Sequence, residues 1–566
     1  MRPLGFVSNG MTSALIDRGS IVWLAFPRFD SPSIFGKLLD NEAGEFSILP
    51  REEEYEVTQQ FLVPNVLLTK FKTKEGKADI IDLMPIGEKA IIRKIRSEIT
   101  LRIDIKPMFN YGLYRPVMEL EDNGIRFLNP LSRECLALMS DKSLSSSSFE
   151  TKGETTLYLV YSSDYSYGPF HKGKRLRKDL ENSFNLTLNY WKNKVKVDDK
   201  DEIGKMKSIS LGLLLGLIYS PSGGSIAAPT TSLPEVEGGS RNWDYRYVWI
   251  RDSAMISEAL LFSGYIVEAR RIINFLLGLV NFTSKPLLHP LYTVDGNDPP
   301  PEMEISWLRG YKDSKPVRVG NAAASQVQLD IEGFLIDAIY KYFSMTNDKV
   351  FIEENKEKIQ YIADWVSKNW MLRDAGMWED RGKPLHYTHS KVMMWVTLDR
   401  AEKILGLSYG EKDKLRDWIM RNCVKEGSFV RSSDSNDVDA NLLTLPLYGF
   451  VQVNDEIFLR TLKRVEEELH VKGFVKRYSK DSLGEAMHPF SLASIWLSRI
   501  YLRLGRKDEA LELIRKVLKP SGGLYLIGEH IDVEKMEYTG NYPQAFVHAQ
   551  LLIALNELSN NKFFEQ

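Results

Sequence analysis

AFVHAQLLI, Ala545 to Ile553, places Ala545, Phe546, Ala549, Leu552 and Ile553 at i, i+1, i+4, i+7 and i+8, which is one apolar face of an α-helix. The same period recurs upstream at roughly 201–220, 251–265, 266–280, 324–345, 348–370, 389–406, 410–424, 440–450, 455–470, 488–505 and 507–519, so that the segment 542–559 is the last of twelve. Helices joined in sequence pack side by side, and twelve is the number that closes an (α/α)6 barrel. An open solenoid would use the same helices. The stretch shows no self-similarity at the periods of helical repeat arrays, which favours closure.

Before about residue 185 the period is different. SALIDRGSIVWLAF (Ser13–Phe26) sets two apolar runs around Asp17-Arg18-Gly19, and VLLTKFKTKEGKADIIDLM (Val66–Met84) repeats the design around Glu75-Gly76. ITLRIDIKPMF and TTLYLVYSS add further strand-like runs, and together they predict an antiparallel β-sandwich. The polar stretch SDKSLSSSSFETKGE (Ser140–Glu154) reads as a solvated loop. The expected organisation is therefore a sandwich over 1–185, a linker over 186–200 and a helical barrel over 201–566. A chain of 566 residues exceeds the roughly 250–300 that one core supports, which agrees with two domains.

Composition narrows the function. Lys plus Arg (74) nearly balances Asp plus Glu (76), so neither nucleic acid nor an anionic membrane is an expected partner. The start lacks a basic n-region and an apolar h-region, and no run approaches a membrane span; with only Cys135 and Cys423, a cytoplasmic protein without disulfides is expected. The eight histidines show no HExxH, so no metal or other cofactor is called for. A phosphate-binding loop is missing. A homo-oligomer is compatible with all of this.

In a helical barrel the loops at one end form a bowl, and four loops here are dense in Trp, Arg and carboxylates. They are Gly238–Ala254 (GGSRNWDYRYVWIRDSA), Asp295–Asp330, Gly376–Trp395 (GMWEDRGKPLHYTHSKVMMW) and Gly523–His548. Any one of them alone is more often a surface ion-pair cluster. Asp252 could be a helix cap, and His389 ahead of an apolar run is more often structural than catalytic.

With these loops in view the sequence resembles family 15 glycoside hydrolases, the glucoamylases and the prokaryotic trehalases. The likeness runs from LGFVSNGMTSALIDRGSIVWLAFPRFDSPSIFG at the start, through the four loops, to GNYPQAFVHAQL near the end. It implies a sandwich followed by an (α/α)6 barrel, and a sugar as the small-molecule substrate. Matched residue by residue, the family's general acid falls on Glu379 and its general base on Glu529. Inversion at the anomeric carbon would need these carboxyls roughly 6.5–9.5 Å apart, with a water between them. Trp378 and its surroundings would keep Glu379 protonated, and Glu529 would have to stay ionised. Arg251 and Asp252 match the pair that holds two hydroxyls of the terminal glucose, Tyr245 and Trp249 match aromatic positions of that subsite, and Asp380 sits where fungal members carry Glu. The run GEAMHPFSLASIW departs from the usual bacterial pattern, which makes Glu485 a second candidate base and brings His488 into question as a specificity residue.

The resemblance leaves two substrates. α,α-Trehalose is favoured over terminal α-1,4-glucosidic bonds of maltooligosaccharides, because neither a starch-binding domain nor an export signal is expected. A carbohydrate phosphorylase would need a phosphate pocket in place of the base, and Glu529 argues against it. A non-catalytic sugar-binding scaffold would leave four such loops without a purpose. The contacts of the second sugar are expected from loops near 295–315.

Overall fold

The computed structural model describes residues 1–121, 124–167, 180–197, 199–282 and 287–560. The first part is one antiparallel sheet system of thirteen strands. Its spine is the seventeen-residue strand Ala90–Lys106, which pairs along one edge with Ser148–Ser162. Its other edge is shared: Lys77–Leu83 pairs with its first half and Glu45–Pro50 with its second, so the sheet divides there into two leaves. Arg93 lies at the fork with Asp82, both fully buried. Its guanidinium donates to Asp82 Oδ1 (2.7 Å), to the Phe46 carbonyl (2.8 Å) and to the Gly19 carbonyl (2.6 Å), which satisfies a charge that would otherwise be costly to bury.

The expected hairpins around Arg18-Gly19 and Glu75-Gly76 are both present. The polar stretch after Ser140 is only partly a loop. Residues from Ser148 onward are strand, paired with Asp104 and its neighbours, because one solvated face costs a strand nothing while its backbone is satisfied by the spine. The expected boundary at 185 falls inside a helix, Leu180–Lys194. The last residues before that helix lie outside the described residues.

Eleven of the twelve expected helical segments are α-helices. The exception is 440–450, where only Ala440–Thr444 forms a 3₁₀ turn, capped by the Asp439 side chain on the Asn441 N–H. Pro446 follows at once and cannot continue a helix.

Contacts among these elements run in a cycle. Ile250–Phe262 packs on Ile331–Thr346, which packs on Thr388–Leu405, which touches the Ala440–Thr444 turn. That turn touches Ser491–Arg503, which packs on Ala545–Asn560, and this last helix returns to Ile250–Phe262. Glu202–Gly216, Ile266–Gly278, Lys349–Asn369, Gly410–Asn422, Glu456–Glu468 and Lys507–Leu518 each pack on a member of the cycle. Ala545–Asn560 is buried almost all round, including His548 and Gln550, because a helix of the cycle has neighbours on every side.

The sheet unit is fastened to the helical one by buried hydrogen bonds. Trp23 donates to the Pro229 carbonyl (2.6 Å) and Ser8 to the Gly216 carbonyl (2.6 Å).

Candidate active site

The loop NWDYRYVW (Asn242–Trp249) is extended, so alternate side chains face opposite ways. Asp244 and Arg246 point toward the sheet unit and are fully buried. Arg246 donates to the Asp244 carboxylate, to the Ser31 carbonyl (2.7 Å) and to the Tyr111 hydroxyl (2.9 Å). Tyr245 and Trp249 then face a pocket, their rings edge to face at 5.4 Å. Each ring holds one carboxylate: Tyr245 OH donates to Glu529 Oε1 (2.8 Å), and Trp249 Nε1–H donates to Glu379 Oε1 (2.6 Å).

Glu379 sits in a tight turn with a left-handed backbone, φ 61°. A non-glycine residue in that region costs about 1–3 kcal/mol and persists only where the surroundings hold it. Here Gln326 Nε2 donates to the carbonyls of both Glu379 and Asp380 (3.2 Å each), while the Asp380 N–H closes the turn on the Ala375 carbonyl (3.1 Å). Arg251 Nη2 (3.1 Å) and Gln328 Nε2 (3.3 Å) join Trp249 on the same Oε1. Oε2 has no hydrogen-bond partner among the described residues.

Glu529 is held from the opposite side of the chain. It precedes the hairpin of His530–Asp532 with Glu537–Thr539, and its Oε2 accepts from the Asn541 N–H (3.1 Å). Gly540 makes this fit: its φ is 76°, and a Cβ there would lie 2.3 Å from Glu529 Oε2. Burial, and then the nearby Glu235 carboxylate, push the Glu529 carboxyl up; Arg477 and the Tyr245 hydroxyl oppose this without cancelling it.

Both carboxylates line one pocket of about 480 Å³ with Tyr245, Trp249, Arg251, Asp252 and Trp378, so seven of the eight expected site residues come together. Arg251 is no surface ion pair. It is buried, bound to Asp330 (3.1 Å) and Gln328 (3.0 Å) as well as to Glu379. Asp252 does not cap its helix, whose N-cap residue is Trp249; it lies in the first turn, and burial pushes its carboxyl up to about 7.

Three expectations change. Trp378 does not touch the Glu379 carboxyl through its N–H, which goes instead to both oxygens of Asp439 (2.9 and 3.0 Å); the indole on Glu379 is Trp249. Asp380 is not part of this pocket's lining, because the left-handed turn at Glu379 sends it toward the Gly382 N–H (2.8 Å) and Tyr387 OH (3.3 Å). Glu485 is exposed and His488 lies outside the pocket wall, so the structure does not bring either to Glu379. His389 is buried within a helix beside Phe334, and neither ring nitrogen has a hydrogen-bond partner among the described residues.

Sequence reasoning missed Gln544, Arg477 and Glu235. Gln544 is fully buried and lines the pocket, with neither amide atom hydrogen-bonded among the described residues, the state of a side chain awaiting a polar ligand. It stands inside the run GNYPQAF, beside Ala545 and Phe546. Glu235, Glu529 and His530 present ligand atoms within 4.8 Å of one another, as a metal site would. Arg477 already spans both oxygens of Glu235 (2.8 and 2.6 Å), and burial keeps His530 neutral, so the cluster has its own fixed cation.

Comparisons with known proteins fit this geometry. Residues 208–556 match the family model "Glycosyl hydrolases family 15" and residues 2–141 match "Trehalase-like, N-terminal". The chain is 71% identical over 558 residues to Trehalase 1 of Sulfolobus acidocaldarius, covering 99% of each, and 33% identical to Trehalase of Thermoplasma volcanium, covering 96% of this chain and 91% of that one. Among solved structures a bacterial glucoamylase complexed with acarbose superposes with a TM-score of 0.74 at 13% identity, over 100% of this chain and 94% of the other. That likeness speaks for the fold.

Proposed function

The chain belongs to glycosyl hydrolases family 15, and from that premise we propose that it hydrolyses α,α-trehalose to glucose by direct displacement with inversion. The observation that carries this reading is the pairing of Glu379 and Glu529 in one pocket, each fixed by a different aromatic of the same loop. The name shared by the Sulfolobus and Thermoplasma relatives supports trehalose as the sugar. The cycle of helix contacts supports an (α/α)6 barrel from about residue 201, and the forked sheet, whose last strand ends at Ser162, supports a β-sandwich ahead of a connection that carries the helix Leu180–Lys194. Two buried free cysteines agree with a cytoplasmic site of action, and no described helix is long and apolar enough to cross a membrane.

In this mechanism Glu379 is the acid. Its Oε1 is committed to Trp249, Arg251 and Gln328, which leaves Oε2 to carry the proton to the glycosidic oxygen. Glu529 is the base. Held by Tyr245 and Asn541, it draws a proton from the water that attacks the anomeric carbon from the other face. Its raised proton affinity makes it a stronger base once ionised, at the expense of activity in acid. Arg251 and Asp252 hold hydroxyls of the ring being cleaved, with Tyr245, Trp249 and Trp378 around it and Gln544 as an added donor and acceptor.

Incubation of the purified protein with trehalose, and in parallel with maltose and maltotriose, followed by a glucose assay, tests the assignment. No glucose from trehalose would end it. Arg251→Ala should lower kcat/KM by about 10²-fold, because the same guanidinium positions the sugar and orients Glu379. Folded protein with unchanged kinetics would return this loop to a purely structural role.

The Glu235 carboxylate gives a pH prediction. A like charge beside Glu529 disfavours its ionised form, so Glu235→Gln should lower the proton affinity of Glu529. The base would then stay ionised at lower pH, and the acid limb of kcat/KM would move to lower pH. A limb that stays in place, or moves up, would show that Glu235 does not act on the base.

A further inference from the structure

We propose that the hairpin Lys480–Glu485 is a strap that ends the substrate site one sugar beyond the scissile bond, so that the second ring is accepted only when nothing extends from it. The proposal rests on the reading of Glu379 as the acid. Past Glu379 the pocket continues into a second cavity of about 410 Å³, which shares Tyr245, Trp378, Glu379 and Arg477 with the first. A sugar leaving from the Glu379 side would lie there. Its outer wall is Arg241, Asp481 and Leu483, and Trp243 stands at its side with Arg381 stacked on its ring at 4.1 Å. The loops near 295–315, from which these contacts were expected, supply none of this lining.

The strap is a two-residue ladder, Lys480 against Glu485 and Asp481 against Gly484, with Ser482 and Leu483 at the tip. It is anchored on both sides of the site. Arg241, from the loop that carries Tyr245, grips Asp481 with two parallel bonds (2.8 and 2.6 Å) and the Gly484 carbonyl (3.0 Å). The pair is largely buried, where a charge-assisted bidentate bond is worth more than on the surface. On the far side the tip lies on the turn that carries Glu379: a Cβ at Gly382 would come within 2.8 Å of Ser482 Cβ. Arg431 adds a bond to the Lys480 carbonyl (2.6 Å). The hairpin thus crosses from one catalytic loop to another over the exit of the second cavity. The apolar Leu483 at that exit offers nothing to a third sugar's hydroxyls, and its backbone is braced, since its own N–H donates to Asp481 Oδ1 (2.8 Å). Trehalose has no further chain to place, whereas a maltooligosaccharide extends through the reducing end of its second ring.

Calorimetric titration of the full-length protein with maltose and maltotriose reads the strap without requiring turnover. Wild type should bind maltotriose at least about tenfold more weakly than maltose. Leu483→Gly, which removes only a half-exposed side chain, and Asp481→Asn, which loosens the Arg241 grip, should each bring the two affinities within about threefold. Wild type that binds maltotriose as tightly as maltose, or a Leu483→Gly variant that keeps the wild-type ratio, would overturn the proposal. A brace without contact to sugar would alter both affinities together and leave the ratio fixed. Failure of trehalose to yield glucose is a separate outcome that strikes the proposed reaction and not this ratio.

Discussion

Glu379→Gln is expected to bind trehalose nearly as wild type does and to turn it over about 10²–10⁴-fold more slowly. The amide oxygen can take the place of Oε1 and keep the bonds from Trp249, Arg251 and Gln328, so the turn and the sugar subsite survive. The group at the position of Oε2 becomes an amide nitrogen with no proton to give at working pH. kcat and KM on trehalose decide it, with folding checked by circular dichroism. More than about a tenth of wild-type turnover would take the acid role from Glu379.

Glu529→Ala should be as inactive, for the complementary reason that no group remains to activate the water. The stereochemical course tests the two residues as a pair. With inversion, one glucose of trehalose is released as the β-anomer and the leaving glucose as the α-anomer, so NMR of fresh product should show equal amounts before mutarotation. Retention would give α-glucose alone, and the proposed mechanism would be wrong. Azide should also occupy the space vacated in Glu529→Ala and yield β-glucosyl azide from a substrate with a good leaving group. Activity retained in Glu529→Ala but lost in a Glu485 variant would move the base, against the exposed position that Glu485 holds.

Much of this architecture is legible in the sequence because burial writes its period directly. The helix starts and stops came within a few residues for most segments. The failure at 440–450 is instructive: Leu442, Leu443, Leu445 and Leu447 are all buried, but Pro446 interrupts, and the apolar content belongs to a turn that fills a place in the helix cycle. The site was legible through its loops, since Trp, Arg and carboxylates crowd there for chemical reasons. What could not be read is which residue meets which. Trp378 adjoins Glu379 in sequence, yet the indole on that carboxyl comes from Trp249, 130 positions away. Asp380 is adjacent too, and one left-handed residue turns it away. Glu235, Arg477 and Gln544 look like ordinary polar residues until the helix cycle brings them to Glu529 and the pocket.

Arg246 bears on how far this molecule can be divided. A helical fragment freed of the sheet unit would keep the Asp244–Arg246 pair but would lose the Ser31 carbonyl and the Tyr111 hydroxyl, stranding part of a buried guanidinium on newly wetted surface. Trp23 would likewise release the Pro229 carbonyl, next to Thr230, whose hydroxyl holds the Asn541 side chain behind Glu529. The loop that carries Tyr245 and Trp249 is thus a shared wall with two owners, its inner face lining the pocket and its outer face covered by the sheet unit. The sheet unit is not a detachable accessory to be exchanged between enzymes. Trp23 and Tyr111 are not in the pocket lining, and substitutions there are expected to lower activity through that wall.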